Sequence, residues 1–474
     1  MQLNARANEC RLSLVIRYVA VIDLGKTNSK VALVDTRLCT EINVVKQAAT
    51  TKQTALYPCL DHEAIESFIV ESLKSLAGTH TIDAITVTTH GATVALIDEA
   101  GELALPVLDY EFTDIDELRD RYNERKPSFS STGSPALPAG LNVGAQLFWQ
   151  QTNYRKYFDK ISTVLTWPQY WVFRLTGERI NDLTSLGCHT DLYEPGNQRY
   201  STLVNKMQWH DLMPPTTPSG VFAGSLSPEF SNRLRLSTEL PIYTGIHDSN
   251  ASLVPHLVTQ SAPFSVVSTG TWFIAMAIGG HPVDLDESRD TLLNINARGD
   301  SVPSARFMGG RERDLLQVSE PATESDIENY FNNSGAQTFL LPSHIAGTGP
   351  YPQAEQQWIG EPDNETSASR TCTVTLYLAL MAHECLLLVG ADGTTFIEGP
   401  LAADSLFLQM LAAVSQRDVA FSHTETGTSV GAAMLITPPL KPLEYTRVTI
   451  TDKRRKQLES YAASWKKQLQ NHAK

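Results

Sequence analysis

Two apolar runs of strand length, Val19–Ile22 and Val31–Val34, are joined by a short stretch of small and polar residues around Gly25. β-Branched runs broken by a glycine-bearing bend read as a β-hairpin. Without a Cβ at Gly25 the chain can turn tightly, so several N–H groups and the hydroxyls of Thr27 and Ser29 can converge on one anion. Asp23 at the strand end faces the same space, placed to hold a magnesium ion through water. The unit recurs downstream, where Phe264–Val267 and Trp272–Ile278 flank Ser268-Thr269-Gly270-Thr271, with Asp248 shortly before. Internal duplication of this kind puts a cleft between two halves. Gly25-Lys26-Thr27 is similar to the tail of a P-loop, but the leading glycine would fall at Ala20 and a strand follows instead of a helix, so that loop is rejected.

A chain of 474 residues, 42% hydrophobic and 19% charged, is expected to form two globular domains, here residues 1–255 and 256–474. A formal net charge of -14 with no basic stripe argues against a nucleic-acid partner. The run Lys453-Arg454-Arg455-Lys456 reads as the solvated face of a terminal helix whose apolar face is Leu458, Tyr461, Trp465 and Leu469. Cys10, Cys39, Cys59, Cys188, Cys372 and Cys385 lack paired spacing and read as reduced, packed thiols. Arg6, Arg11 and Arg17 interrupt the N-terminal apolar residues, and no run approaches the roughly twenty needed to cross a bilayer. The expectation is a cytoplasmic protein with no membrane partner, in which the sequon Asn332-Asn333-Ser334 is accidental.

Further strands are expected around Ile42–Ala48, Ala84–Thr88 and Thr93–Ile97, with a helix over Asp61–Leu76. A Pro-, Gly- and Ser-rich segment, Pro127–Gly140, is a candidate lid or substrate loop, followed by helices over Gln146–Phe158 and Trp167–Leu175, the latter closed by Gly177. In the second half, Val374–Val389 is apolar almost all round and reads as a buried helix. Then come a strand at Thr395–Ile397, the turn Glu398-Gly399-Pro400 and a helix over Leu401–Ser415.

Asp23-Leu24-Gly25-Lys26-Thr27-Asn28 resembles the first phosphate motif of the FGGY family of carbohydrate kinases, and Ser268-Thr269-Gly270-Thr271 resembles its second. Gly245-Ile246-His247-Asp248 resembles the segment carrying the family's catalytic aspartate. Gly427-Thr428-Ser429-Val430-Gly431-Ala432-Ala433 is similar to its glycine- and alanine-rich helix start. The resemblance covers roughly residues 18–440. It implies an α/β fold of two ribonuclease-H-like (actin-like ATPase) domains flanking a central nucleotide cleft, with ATP and Mg2+ as cofactors. Phosphoryl transfer asks the protein mainly to place a sugar hydroxyl in line with the γ-phosphate and to offset charge. The resemblance then makes Asp248 the general base, gives magnesium to Asp23 and Asp248, and sets Gly25, Lys26, Thr27, Asn28, Ser268, Thr269, Gly270 and Thr271 around the phosphates, with Gly399, Pro400 and Asp404 toward the adenosine.

For the sugar, His90-Gly91 resembles a pair in xylulose kinases, whereas the segment carrying His247 and Asp248 is closer to rhamnulose kinases. Asp109 or Glu111, in Leu108-Asp109-Tyr110-Glu111, takes the place of the carboxylate in a tryptophan-asparagine-aspartate trio, and Gln146 is a further candidate on the same wall. Only Gly399 represents the family's usual glycine pair at the adenosine turn. Two readings therefore stand: an ATP-dependent ketose kinase, or a sugar- and nucleotide-binding regulator with weak turnover. Dimerisation stays open.

Overall fold

The computed structural model describes residues 16–332, 338–360, 368–422, 427–440 and 443–472. Cys10, Arg6, Arg11 and the end of the 332–334 sequon lie outside them. Tyr18–Leu24 (β1) and Asn28–Asp35 (β2) form the expected antiparallel hairpin, in register from Tyr18 opposite Asp35 to Leu24 opposite Ser29. Thr40–Ala48 (β3) extends it antiparallel to β2. Helix His62–Ala77 (α1) starts at Asp61, whose side chain caps it, and Ala84–Thr89 (β4) returns parallel to β1. Helices Val143–Asn153 (α2) and Trp167–Thr176 (α3) follow; α3 ends, as expected, at Gly177. The first sheet is completed by Phe222–Ser225 (β5), Pro241–Tyr243 (β6) and Ile246–His247 (β7), in the order β5-β6-β4-β1-β2-β3 with β7 also on β4. That last pairing sets His247 beside Thr89 and delivers Asp248 to the sheet's end, as the first residue of helix Asp248–Thr259 (α4). α4 runs unbroken through the expected 255/256 division.

The second half repeats the plan. Phe264–Thr269 (β8) and Phe273–Ile278 (β9) pair antiparallel, Thr291–Ile295 (β10) and Ser301–Phe307 (β11) extend the sheet, and Thr394–Glu398 (β12) lies parallel to β8. With Val419–Phe421 (β13) and Thr446–Arg447 (β14) the order is β10-β11-β9-β8-β12-β13-β14. Helix Gly309–Leu315 (α5) follows β11. Helices Ala368–Leu388 (α6), Ser405–Ser415 (α7), Thr428–Ile436 (α8) and Asp452–His472 (α9) complete the domain. These are the two ribonuclease-H-like domains that the duplicated hairpins imply.

α6 corrects one expectation: by length and apolarity alone it could cross a membrane. Its surface is instead covered by α7, α9 and the second sheet, where Val374, Tyr377, Met381 and Cys385 are buried with Leu458, Tyr461 and Trp465 of the terminal helix. Each large apolar side chain so covered contributes roughly 1.5–3 kcal/mol, and that accounts for a helix with no polar face. The described cysteines are unpaired thiols, all buried but the half-buried Cys39.

The Pro127–Gly140 segment is not an open lid. Residues 132–135 are buried, Lys126 donates to the Ser134 carbonyl at 2.7 Å, and the Leu293 N–H on edge strand β10 donates to the Gly133 carbonyl at 2.9 Å. It is a strut from the first domain to the second. The halves meet again where α4 crosses α8, with Gly431 pressed on the Ala251 carbonyl so closely that any Cβ would overlap it.

Candidate active site

At the β1–β2 turn the Gly25 N–H donates to the Asn28 carbonyl at 2.9 Å, leaving Thr27 and Asn28 exposed at the tip. Ser29 does not join them: it is buried in β2 opposite Leu24, because strand pairing begins one residue before the turn opens. Asp23 is buried, and its Oδ2 accepts from the Thr428 hydroxyl and from Ser429 Oγ at 3.1 Å. The first phosphate motif and the glycine-rich helix start therefore touch directly, although some four hundred residues separate them. Lys30 Nζ stands 3.4 Å from the same Asp23 oxygen and 2.8 Å from Glu41 Oε1. Burial pushes the Asp23 carboxyl above the ordinary range, the Lys30 charge opposes this, and Asp248 adds to it. Lys30 was legible only as one of several strand lysines; its position opposite Asp23 in the hairpin register is what makes it part of the site.

Asp248 accepts from its neighbour Ser249 N–H at 2.6 Å and lies 3.2 Å from His247 Nε2, with its side chain partly open to solvent. His247 is buried against Cys188 Sγ at 3.7 Å. Burial disfavours both charges, yet the pair offsets it: the Cys188 thiol falls below its usual value, helped first by His189, and His247 rises above its own through Cys188 and Asp248. His90, next to Gly91 at the end of β4, is buried, donates through Nδ1 to the Gly91 carbonyl at 3.0 Å, and meets Tyr110 edge-on at 5.5 Å. Burial lowers its basicity.

Lys26 links the phosphate turn to the sugar segment. Its ammonium contacts Asp109 Oδ1, stands 3.3 Å from Glu111 Oε2 and lies over the Tyr110 ring at 4.6 Å. Asp109 is buried and Glu111 largely exposed. Gln146 is committed elsewhere: its amide nitrogen donates to the backbone carbonyls of Ala92, at 2.6 Å, and Gly140, so it fastens the strut to the first domain and does not present that group to a ligand.

The second turn is built differently. Ser268 is half-buried and Gly270 and Thr271 are exposed, but Thr269 is buried, donating to the Glu398 carbonyl at 2.6 Å and accepting from the Leu401 N–H at 3.1 Å. Its hydroxyl binds the two turns of this domain together, which corrects its expected use on a phosphate. Gly399, at φ +83°, packs on Thr269, and a Cβ there would come 3.0 Å from Thr269 Oγ1. Sequence reasoning missed Gly310 at the start of α5: a Cβ on it would overlap the Gly270 carbonyl oxygen, and the next N–H, of Arg311, donates to Thr271 O at 3.3 Å. The adjacent pair Gly309-Gly310 after β11 was the available signal. Asp404 is also corrected. The helix begins at Ser405 rather than Leu401, so Asp404 is its N-cap, buried and accepting from the Leu406 and Phe407 N–H groups at 3.1 Å each.

The second domain carries a cleft of about 930 Å3 whose walls include Ser268, Glu398, Gly399, Pro400, Gln409 and Gly427. Ser268 belongs to the second turn, and Gly427 precedes the Thr428 that holds Asp23 of the first hairpin. Asp23 and Asp248 lie near enough for the charge of Asp248 to act on the Asp23 carboxyl, and paired carboxylates are oxygen donors suited to a divalent cation.

Two ribonuclease-H-like domains of this duplicated plan define the actin-like ATPase class. Within that class, the N-terminal domain of the FGGY family of carbohydrate kinases matches residues 18–255 and the carbohydrate kinase FGGY C-terminal domain matches residues 261–443; the chain belongs to the FGGY family. A carbohydrate kinase from Novosphingobium aromaticivorans is 32% identical, with 97% of this chain and 100% of that one covered and a TM-score of 0.89. A xylulose kinase from Lactobacillus acidophilus, 14% identical over 96% of this chain and 98% of its own, shares the fold with a TM-score of 0.76. An L-fuculokinase from Salmonella typhi is 24% identical over 276 residues, which is 55% of this chain and 57% of that protein. The chain thus spans just over half the length of that curated relative.

Proposed function

We propose that this protein transfers the γ-phosphoryl group of ATP to a terminal hydroxyl of a small sugar, a ketose of the pentulose or deoxyhexulose class. The observation that carries this reading is the position of Asp248, at a helix start between the Asp23 side of the cleft and the His90 and Lys26–Asp109 side. Asp248 takes the hydroxyl proton as the oxygen attacks phosphorus; His247 steadies one carboxylate oxygen and leaves the other for the sugar. Thr27, Asn28, Gly270 and Thr271 surround the phosphates with backbone and side-chain donors, and Lys30 offsets part of the negative charge beside Asp23. When bound, Mg2+ would be held by Asp23 and Asp248 and would neutralise charge on the phosphates. His90, Gly91, Asp109, Glu111 and His247 form the sugar wall.

The resemblance to L-fuculokinases supports a deoxyhexulose, and that to xylulose kinases a pentulose. Release of ADP across a panel of ketoses and polyols tests the reading: turnover with one class identifies the acceptor, and sugar binding without turnover on any of them removes the kinase. The second reading, a binding regulator, is favoured by one observation, the Glu398-Gly399-Pro400 turn with a proline where the family has a second glycine.

A further inference from the structure

Glu398 ends β12 opposite Ser268 of β8, one residue from the second phosphate turn. Its Oε1 accepts from Nε2 of His256 at 2.7 Å, and His256 Nδ1 takes the Tyr445 hydroxyl at 3.1 Å. That assignment gives each partner its natural role, since Tyr445 supplies a donor and Glu398 only acceptors. His256 is 1% exposed, and its ring is packed by Phe396 and Tyr445 at centroid distances of 5.0 and 5.5 Å. The carboxylate is therefore held by one oxygen on a buried, immobile imidazole. It nevertheless lines the cleft, and its second oxygen makes no hydrogen bond among the described residues.

A fixed carboxylate on the wall of a cavity that receives a polyphosphate is unfavourable unless it meets donors there. Ser268, which opens the second turn, and Leu408 and Gln409 on α7 line the same cleft as Glu398. Glu398 lies opposite Ser268 in the sheet, beside the turn read as holding phosphates, and a nucleotide carries its ribose hydroxyls next to its phosphates. We propose that Glu398, clamped by the Tyr445–His256 chain, accepts a hydrogen bond from a ribose hydroxyl of the nucleotide and so selects ribonucleotides over deoxyribonucleotides.

This rests on the reading of the cleft as the nucleotide site. The test is equilibrium binding of ATP, 2′-deoxy-ATP and 3′-deoxy-ATP to the full chain and to its Glu398→Ala and Glu398→Gln variants, with thermal melts as a check on folding. The native chain is expected to bind ATP about tenfold or more tightly than at least one deoxy analogue, as for a hydrogen bond to a charged group. Glu398→Ala is expected to bind all three at the weaker level, and Glu398→Gln to lose most of the preference. Equal binding of the three by the native chain, or an unchanged preference in a folded Glu398 variant, overturns the proposal while leaving the cleft reading intact. No binding of any of the three overturns both. Should neither variant fold, the native preference alone decides.

Discussion

The two hairpin turns come from one strand–turn–strand plan, yet they are built in opposite ways. The β1–β2 turn is electrostatic: Asp23, Lys26 and Lys30 stand around it, engaged with Thr428, Asp109 and Glu41 from outside the hairpin, and the one atom near a Cβ built on its glycine is Asn28 O of the same turn, at 3.0 Å. The β8–β9 turn is steric: it carries no charged side chain, and its shape is held by the close approach of Gly310 and Gly399 and by the buried Thr269 hydroxyl. A charged turn can report to other parts of the site, and Lys26 does so toward Asp109. A neutral turn pressed by backbone is rigid and offers N–H groups without repelling or trapping the ligand.

The largest expected effect lies at Asp248, the first residue of α4. Asp248→Asn should cut turnover by about 10²- to 10⁴-fold while ATP binding stays near native; retained turnover in coupled ADP release would take Asp248 out of its role. The contrast between the turns itself is sharpened by paired alanines. Gly310→Ala forces a Cβ into the Gly270 carbonyl and should cost roughly 1–3 kcal/mol in urea unfolding and raise the ATP KM. Gly25→Ala should cost less than Gly310→Ala, and the reverse order would break the comparison. Lys26→Met is expected to raise the sugar KM several-fold, because Asp109 loses its cation; a change confined to the ATP KM would make the lysine a phosphate ligand alone. Smallest is an effect remote from the cleft. Burial, with Arg417 and Lys466 nearby, lowers His383 from 6.5 to about 4, so the unfolded chain binds more protons between those values and stability falls as pH drops through that window. His383→Leu should flatten that part of the stability–pH curve without touching the activity profile above pH 7.

Much of this fold was readable from residue order. The β-branched alternation of β1, β2, β8 and β9, the cap at Asp61, the stop at Gly177 and the apolar α6 are local signals, and all stand close to where they were expected. The errors have a common cause. Thr269 and Asp404 are given to the nucleotide, and Gln146 to the sugar, by family resemblance, whereas backbone groups brought in by folding already engage their polar atoms. Lys30, Gly310 and the His256–Glu398 pair went unread because each acquires meaning only from a partner far along the chain.

Sequence by itself determined that this protein would be two sheets with a glycine-bearing bend in each, because strand period and turn chemistry act over a few residues. Only the tertiary structure decided which polar atoms are left for a ligand. Hydrogen-bonding capacity is finite, and a hydroxyl or carboxylate taken up by a distant N–H, imidazole or helix end is no longer free to bind a phosphate or a sugar.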